Sequence, residues 1–266
     1  MIALLAVLAT VWSGAAAASG GERVPGDLHR DWGDLVRRHV RGGLVDYDGF
    51  ARDRAVLTHY LESLAPVPGA LPPSDEIAFW INAYNAATVD LVVRERLARG
   101  GRLRSIRDIP AAWTRPRWRI AGRDRTLDDI EHGILRKRFR EPRIHFALVC
   151  ASRSCPALRP VAYVGAFLDA QLDSAERAFV LDPSRNRARP EEGRIRLSKI
   201  FDWYAKDFVG VARDSTLERL HGRERGAVLA FVARHLSAAD AAALRAPLRV
   251  EFLSYDWTLN SAGNAR

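Results

Sequence analysis

The chain has 266 residues, of which 48% are hydrophobic, and its 41 Lys and Arg against 32 Asp and Glu give a formal net charge of +9. This length and composition exclude a largely disordered chain and allow a sizeable core. The basic residues are mostly arginines scattered among acidic ones, so the charge does not predict a sequence-specific nucleic-acid partner.

The N-terminal residues have the pattern of a secretory signal peptide. Residues 1–12 are largely apolar, and small residues follow to a cleavage site near Ala18. We therefore predict a signal peptide over 1–18, a polar tether over 19–27 and one domain over 28–262. The apolar run is too short to predict a membrane span, so we expect a soluble periplasmic or secreted mature chain. No Lys or Arg precedes the apolar run, which leaves the translation start open.

Two helical patterns come before the first proline-rich segment. Residues 28–40 place their apolar side chains on one stripe of a helix, and Gly42 and Gly43 end it. Residues 50–64 carry the second helical pattern.

The most apolar helical pattern covers residues 74–98. Ser74 is the expected N-cap, and the first half of this segment is apolar on several sides, which indicates a buried helix. Asn82 and Asn85 lie three residues apart and therefore share a face, with Tyr84 between them. These three residues are candidate substrate-binding residues. Alternatively, the two amides satisfy buried backbone groups.

A hairpin and a capped helix are predicted in the middle of the chain. The hairpin covers residues 118–125, with its turn at 121–122. Thr126 and Asp129 have the spacing of a capping box at the start of a helix over 127–139.

That helix carries Glu131 and His132, which are candidate catalytic residues. Alternatively, they are part of a half-exposed helix face. The basic run 136–140 suits the C-terminal turn of the helix, where cations complement the helix dipole.

Both cysteines of the chain follow an apolar run at residues 144–149, for which we predict a strand. On a regular strand, His145 and Cys150 would face opposite sides and lie about 16 Å apart. They would then form no nucleophile–base pair. We expect Cys155 at the N-terminus of a helix that begins at Pro156, where the helix dipole favours a thiolate.

The C-terminal half is predicted to alternate helices with short strands. Ser198 is the expected cap of a helix packed by Phe201, Trp203 and Phe208. The predicted elements are helices over 161–180, 199–208 and 227–236 and strands over 194–197 and 248–253. Together the elements predict a single α+β domain, with several helices around a small, mostly antiparallel or mixed sheet.

The order of several short stretches resembles the DUF547 family, a domain of unknown function. The stretches are VDY (45–47), FWINAYNA (79–86), TLDDIEH (126–132), HFALVC (145–150), SCP (154–156), FDWYAKDF (201–208) and YDWTLN (255–260). The resemblance implies one α+β domain, often exported in bacteria, and no agreed activity. Some relatives are joined to glutaredoxin-like domains, which implies thiol chemistry for them.

The pair Cys150 and Cys155 allows four interpretations. In an oxidising compartment the two residues can form a disulfide if the loop brings their Cα atoms within about 7 Å. They are otherwise a reactive thiol or redox pair, zinc ligands, or inert buried thiols. As a nucleophile, Cys155 would need His132 or His145 as its base. The chain lacks a second short cysteine pair, so we predict no metal and no cofactor.

Two functional hypotheses follow. In the first, the protein is a thiol-dependent hydrolase or acyl-transferase in which Cys155 attacks, with His145, His132, Glu131 and Cys150 around it. In the second, it is a non-catalytic ligand- or partner-binding domain with a Cys150–Cys155 disulfide. Asp256, after the last strand, is a further candidate for substrate binding or a structural residue. We expect a small-molecule or peptide partner and no specific nucleic acid; the oligomeric state stays open.

Overall fold

The computed structural model of the protein describes residues 28–66, 68–189 and 192–264. The predicted signal peptide (1–18) and tether (19–27) lie outside the described residues. No helix within these described ranges is long and apolar enough to cross a membrane.

Helices make up most of the ordered structure. The α-helices are α1 (Arg30–His39), α2 (Tyr47–Arg52), α3 (Arg54–Ser63), α4 (Pro73–Ala98), α5 (Arg136–Phe139), α6 (Leu168–Val180), α7 (Lys199–Trp203), α8 (Ser215–His221), α9 (Arg223–Ala233) and α10 (Ala238–Ala243). A π-helix covers Asp129–Leu135 and continues directly into α5. Short 3-10 helices cover Ile106–Asp108, Pro142–Phe146, Gly165–Phe167, Ala205–Phe208 and Ala262–Asn264.

The strands form three small sheets. They are β1 (Val40–Arg41), β2 (Leu44–Val45), β3 (Trp118–Ile120), β4 (Arg123–Arg125), β5 (Arg187–Arg189), β6 (Arg194–Leu197) and β7 (Arg249–Phe252). β1 and β2 form one antiparallel hairpin, and β3 and β4 another. β6 pairs antiparallel with β5 and parallel with β7. The predicted α+β class and mixed strand pairing are confirmed, although the strands are divided over three separate sheets.

Helix α4 is the buried centre of the N-terminal half. Sixteen of its side chains, from Ala78 to Val93, are buried, as its apolar pattern predicts. It begins one residue before the predicted N-cap: Pro72 precedes the helix and Pro73 is its first residue. Ser74 is therefore not the cap, because proline is favoured at the first helical position, where its missing N–H costs nothing.

The apolar side chains form two clusters that meet at the segment before Cys150. One cluster surrounds α1, α3, α4 and the π-helix, and it includes Ile144 and Ala147. The other surrounds α6, α7 and α9, and it includes Phe146. Residues 144–147 therefore contribute to both clusters, which fixes their position from two sides.

The predicted strand over 144–149 is wrong. The chain forms the 3-10 helix Pro142–Phe146 and then an irregular segment up to Cys150. The backbone of this segment is held by the side chain of Asn85 on α4: Asn85 donates to the carbonyl of Ala147 and accepts from the amide of Val149. A buried side chain thus replaces the neighbouring strand that the apolar run suggested.

The helix expected to begin at Pro156 is also absent, since residues 156–164 are irregular. The predicted helix over 161–180 begins instead at Gly165 with a 3-10 turn and continues as α6. Cys155 therefore lies in a loop and gains no helix dipole, so the reason for expecting a thiolate there is lost.

The remaining boundaries follow local chemistry closely. The hairpin is confirmed, with Trp118 opposite Arg125. The capping box is confirmed, because Thr126 and Asp129 each accept from the other's backbone amide. Ser198 caps α7 as predicted, accepting from Ile200. The pattern over 50–64 is divided into α2 and α3, and the pattern over 199–208 into α7 and a 3-10 helix.

Candidate functional site

Cys150 and Cys155 form a disulfide, with their Cα atoms 6.1 Å apart. The disulfide closes a six-residue loop in which Ala151 has a left-handed backbone (φ 61°). Inside the loop, the Cys155 amide donates to the carbonyl of Ser152. The disulfide interpretation of the cysteine pair is confirmed, and the free resting nucleophile at Cys155 is not what the structure contains.

The C-terminal segment holds this loop against the domain. The amide of Arg153 donates to the carbonyl of Thr258, and the amide of Asn260 donates to the carbonyl of Ala151. The hydroxyl of Ser154 accepts from the amide of Asp256 at 2.8 Å. The loop is therefore paired along its length with residues 256–260.

A guanidinium group secures the far end of the loop. Arg185 donates to the carbonyl of Cys155 at 2.8 and 3.0 Å and to that of Arg153 at 3.1 Å. Arg185 holds the end of the loop, and Asn85 holds the segment that precedes it. The disulfide therefore has little freedom to move.

The two cysteine residues differ in exposure. Cys155 is 2% exposed, whereas Cys150 is partly exposed. The sulfur of Cys150 lies 3.3 Å from both the hydroxyl of Ser152 and that of Tyr255, and Tyr255 lies 3.4 Å from the sulfur of Cys155. Burial raises the pKa of Tyr255 to about 12, so its phenol stays protonated at neutral pH and acts as a donor, not as a base.

Four aromatic side chains form one surface beside the disulfide. This aromatic surface consists of Trp113, Trp203, Tyr255 and Trp257. The ring of Tyr255 lies 4.8 Å from Trp203 and 4.6 Å from Trp257. Trp113 meets Trp257 edge-on at 6.1 Å. Trp203 is 47% exposed, so the prediction that it packs its helix into the core is wrong.

A buried carboxylate lies behind this surface. Glu131, 7% exposed, accepts from the hydroxyl of Tyr204 at 2.7 Å. Tyr84 also donates to Glu131, and burial followed by the negative charge of Glu131 holds the pKa of Tyr84 well above its ordinary value. The indole of Trp113 in turn donates to Tyr84. These hydrogen bonds connect the aromatic surface to the core.

The candidate base His145 belongs to a separate ionic group. It is buried, its Nε2 lies 2.7 Å from Asp207, and its ring stacks on Tyr204 with 3.9 Å between centroids. Arg136 donates to both oxygens of Asp207 at 2.6 and 2.9 Å. Burial alone would raise the pKa of Asp207, but the hydrogen bonds from His145 and Arg136 hold it well below its ordinary value.

The expected nucleophile–base pair is not formed. His132 is exposed, and its Nδ1 lies 3.1 Å from Arg136. Within the described residues, the side-chain hydrogen bonds to the two sulfurs come from Ser152 and Tyr255 and not from an imidazole. The 3-10 helix before the loop directs His145 toward Asp207, whereas the prediction assumed a strand.

The predicted substrate-binding residues have structural partners. Asn82 donates to the carbonyl of Tyr163 and accepts from its amide, both at 2.8–2.9 Å. Asn85 bonds the backbone before Cys150 in the same two-point manner. Asp256 is exposed and accepts from the amide of Thr258. Tyr84 is buried against Glu131. The two amides thus satisfy buried backbone groups, as the alternative interpretation held.

Sequence reasoning missed most of the aromatic surface. The stretch 255–257 drew attention because it follows the last strand, but its contact with the cysteines depends on residues 100 positions apart. No pattern in the sequence around Trp113 predicted that it would belong to this surface. In the part of the chain that the structure describes, no three His, Cys, Asp or Glu side chains group as a metal site.

These features define an α+β domain with a disulfide-closed loop beside a partly exposed aromatic surface. Residues 68–180 match the model of the family described as "Protein of unknown function, DUF547", which confirms the resemblance over that range. The match contains both cysteines, α4 and the π-helix, and the stretches 45–47, 201–208 and 255–260 lie outside it. Neither the curated proteins nor the solved structures gave a match.

Proposed function

We propose that the protein is a non-catalytic binding domain whose aromatic surface takes a small ligand and whose disulfide keeps that surface in place. The observation that carries this proposal is the position of Tyr255: its hydroxyl contacts both sulfurs, and its ring packs on Trp203 and Trp257. A locked loop therefore fixes an aromatic face that would otherwise have to be ordered on binding.

The chemistry of the surface points to a ligand with one flat apolar face and polar edges, such as a pyranose ring. Trp203 offers a large ring that is about half exposed, and aromatic faces stabilise flat apolar groups by dispersion. A polar group lies at the edge of the surface, namely the exposed guanidinium of Arg107, which lies 5.3 Å from the ring of Trp257. Apolar faces with a few placed polar groups are typical of small-molecule sites.

Tryptophan fluorescence titrations with glucose, N-acetylglucosamine and maltose test this proposal, with the open-chain alditol sorbitol as the comparison ligand. We expect a ring sugar to bind and sorbitol not to bind. Trp203→Ala should weaken binding by about tenfold or more. The matched control is Phe167→Ala, which removes a 67% exposed ring elsewhere and should leave affinity unchanged. Equal affinity in the two variants, or no binding of any ring sugar, would refute the proposal.

A disulfide in this loop also supports the proposal that the protein is exported to the periplasm or secreted, because disulfides persist in oxidising compartments. Fractionation of the producing cells tests this: recovery of the protein only in the reducing cytosol would contradict it.

A second candidate function rests on the exposure of Cys150. If a cellular dithiol reduces the disulfide, two electrons and two protons pass to the sulfurs, the dithiol becomes oxidised, and Cys150 becomes the accessible thiol. Tyr255 and Ser152 would then donate to its thiolate, since both hydroxyls lie 3.3 Å from that sulfur. In this second candidate function, the thiolate of Cys150 is the attacking group, and the buried Cys155 is the resolving thiol.

Alkylation after mild reduction tests this second candidate. We expect iodoacetamide to label Cys150 faster than Cys155, because the thiolate is the reacting species and only Cys150 is accessible. Equal labelling of both cysteines, or labelling only after denaturation, would contradict this second candidate function.

A further inference from the structure

The outer face of the three-stranded sheet concentrates arginines. Along β6, Ile195 and Leu197 are buried while Arg194 and Arg196 point outward. In the strand register, Arg187 lies opposite Arg196, and Arg189 lies opposite Arg194. Arg194 also faces Arg249 on β7. Directly opposed residues share a face, so five guanidinium groups occupy one side of this sheet.

Among the described residues, two carboxylates pair with this arginine face, which consists of Arg187, Arg189, Arg194, Arg196 and Arg249. Glu192 pairs with Arg189 and Arg194 at 3.1 and 2.7 Å. Glu251 pairs with Arg196 at 2.9 Å and with Arg249 at 3.8 Å. Like charges directly opposite each other across a sheet destabilise it. Five guanidinium groups and these two carboxylates leave an excess of three positive charges among the seven side chains.

A groove runs along the arginine face. It has a volume of about 780 Å³, and its lining includes Leu181, Pro183 and Ser184 from the segment before β5. Four of the five arginines line it, namely Arg187, Arg189, Arg194 and Arg196, together with Glu192, which pairs with two of them. This volume is within the range of small-molecule sites. Successive arginines on one strand face lie roughly 7 Å apart, which suits a ligand with more than one anionic group.

We propose that this groove binds a small polyanion carrying two or more phosphate or carboxylate groups. Guanidinium groups form paired, charge-assisted hydrogen bonds with both kinds of oxyanion. No aromatic residue is found among the groove's described lining residues, whereas single-stranded nucleic-acid sites combine basic grooves with rings that stack on bases. The concave shape also suits a compact ligand better than the flat surface of a membrane. This site is separate from the aromatic surface and does not depend on the function proposed for it.

Isothermal titration with tripolyphosphate and with citrate tests the proposal and distinguishes the two oxyanions. We expect at least one probe to bind in about 20 mM salt and to bind more weakly in about 300 mM salt, where charges are screened. The triple variant Arg187→Gln/Arg189→Gln/Arg194→Gln should bind at least about tenfold more weakly. It should stay folded, because the two ion pairs of Glu192 that it also removes are exposed and contribute little, and because it removes like-charge pairs.

The matched control is Arg219→Gln/Arg223→Gln/Arg225→Gln, which makes the same charge change on the exposed side of α8 and α9. It should retain the native affinity. If the triple groove variant unfolds, the affinity of the single variant Arg189→Gln is compared with that of the native chain instead. No binding of either probe, or equal loss in the groove and control variants, would overturn the proposal. Binding of duplex DNA or of anionic phosphatidylglycerol vesicles through these arginines, without binding of either probe, would also overturn it.

Discussion

At the scale of single residues, Asn85 shows how a buried amide positions the disulfide loop. It lies on α4, is 2% exposed, and bonds the carbonyl of Ala147 and the amide of Val149. Both backbone groups are buried and have no strand partner, so the side chain of Asn85 performs the role of a neighbouring strand. Its contribution is to the position of Cys150 rather than to contact with a ligand.

Asn85→Ala should lower the free energy of unfolding by about 2–4 kcal/mol, because it leaves two buried backbone groups without partners. Asn85→Asp should lower it at least as much at neutral pH, since its carboxylate would be a buried charge and would face the carbonyl of Ala147 without a proton to donate. Chemical denaturation of both variants measures this order. A change below about 0.5 kcal/mol in Asn85→Ala would show that the backbone of this segment is held by other contacts.

A second residue-scale prediction concerns pH and Asp207. Its folded-state pKa is held below its ordinary value by His145 and Arg136, against the opposing effect of burial. The ionised carboxylate therefore stabilises the fold, fully above about pH 5, and this stabilisation declines as the pH falls below the unfolded-state pKa of about 4.

Asp207→Asn should therefore lower the free energy of unfolding by about 2 kcal/mol at pH 7, and the difference from the native chain should shrink as the pH falls from 5 toward 2. Asp202→Asn is the matched control, because Asp202 forms only an exposed pair with Lys199. Thermal unfolding across this pH range measures both variants. A difference that is constant with pH would contradict the role of the ionised carboxylate.

At the scale of elements, local chemistry explains which predictions succeeded. The Thr126–Asp129 capping box and the hairpin before it depend on residues within a few positions, and both are confirmed. The apolar run 144–149 gave no such information, because a fully buried segment has no periodicity that separates strand from irregular backbone. Its conformation is decided by Asn85, more than 60 residues earlier.

Thr126→Ala should lower the free energy of unfolding by about 1 kcal/mol through loss of the cap at the start of the helix. Thr126→Ser keeps the hydroxyl and should recover most of this loss. Urea denaturation at neutral pH provides the measurement. Equal stability of the Ala and Ser variants would mean that packing of the Thr126 methyl group, not the cap, is what this residue contributes.

At the scale of the whole molecule, the candidate site depends on distant parts of the chain. Glu131 meets Tyr204 across 73 positions, His145 meets Asp207 across 62, and Cys155 meets Tyr255 across 100. The sequence indicated the α+β class and the importance of the cysteines. It did not indicate that Tyr255, and not His132 or His145, would reach them, because the packing of the two apolar clusters decides that together.

The Cys150–Cys155 disulfide is the bond on which the position of the aromatic surface depends. Free-thiol titration of the purified protein, without reductant and in denaturant, tests it most directly. We expect no free thiol before reduction and two after it, with peptide mapping that joins Cys150 to Cys155. Two free thiols in the unreduced protein as purified from an oxidising compartment would contradict the claim.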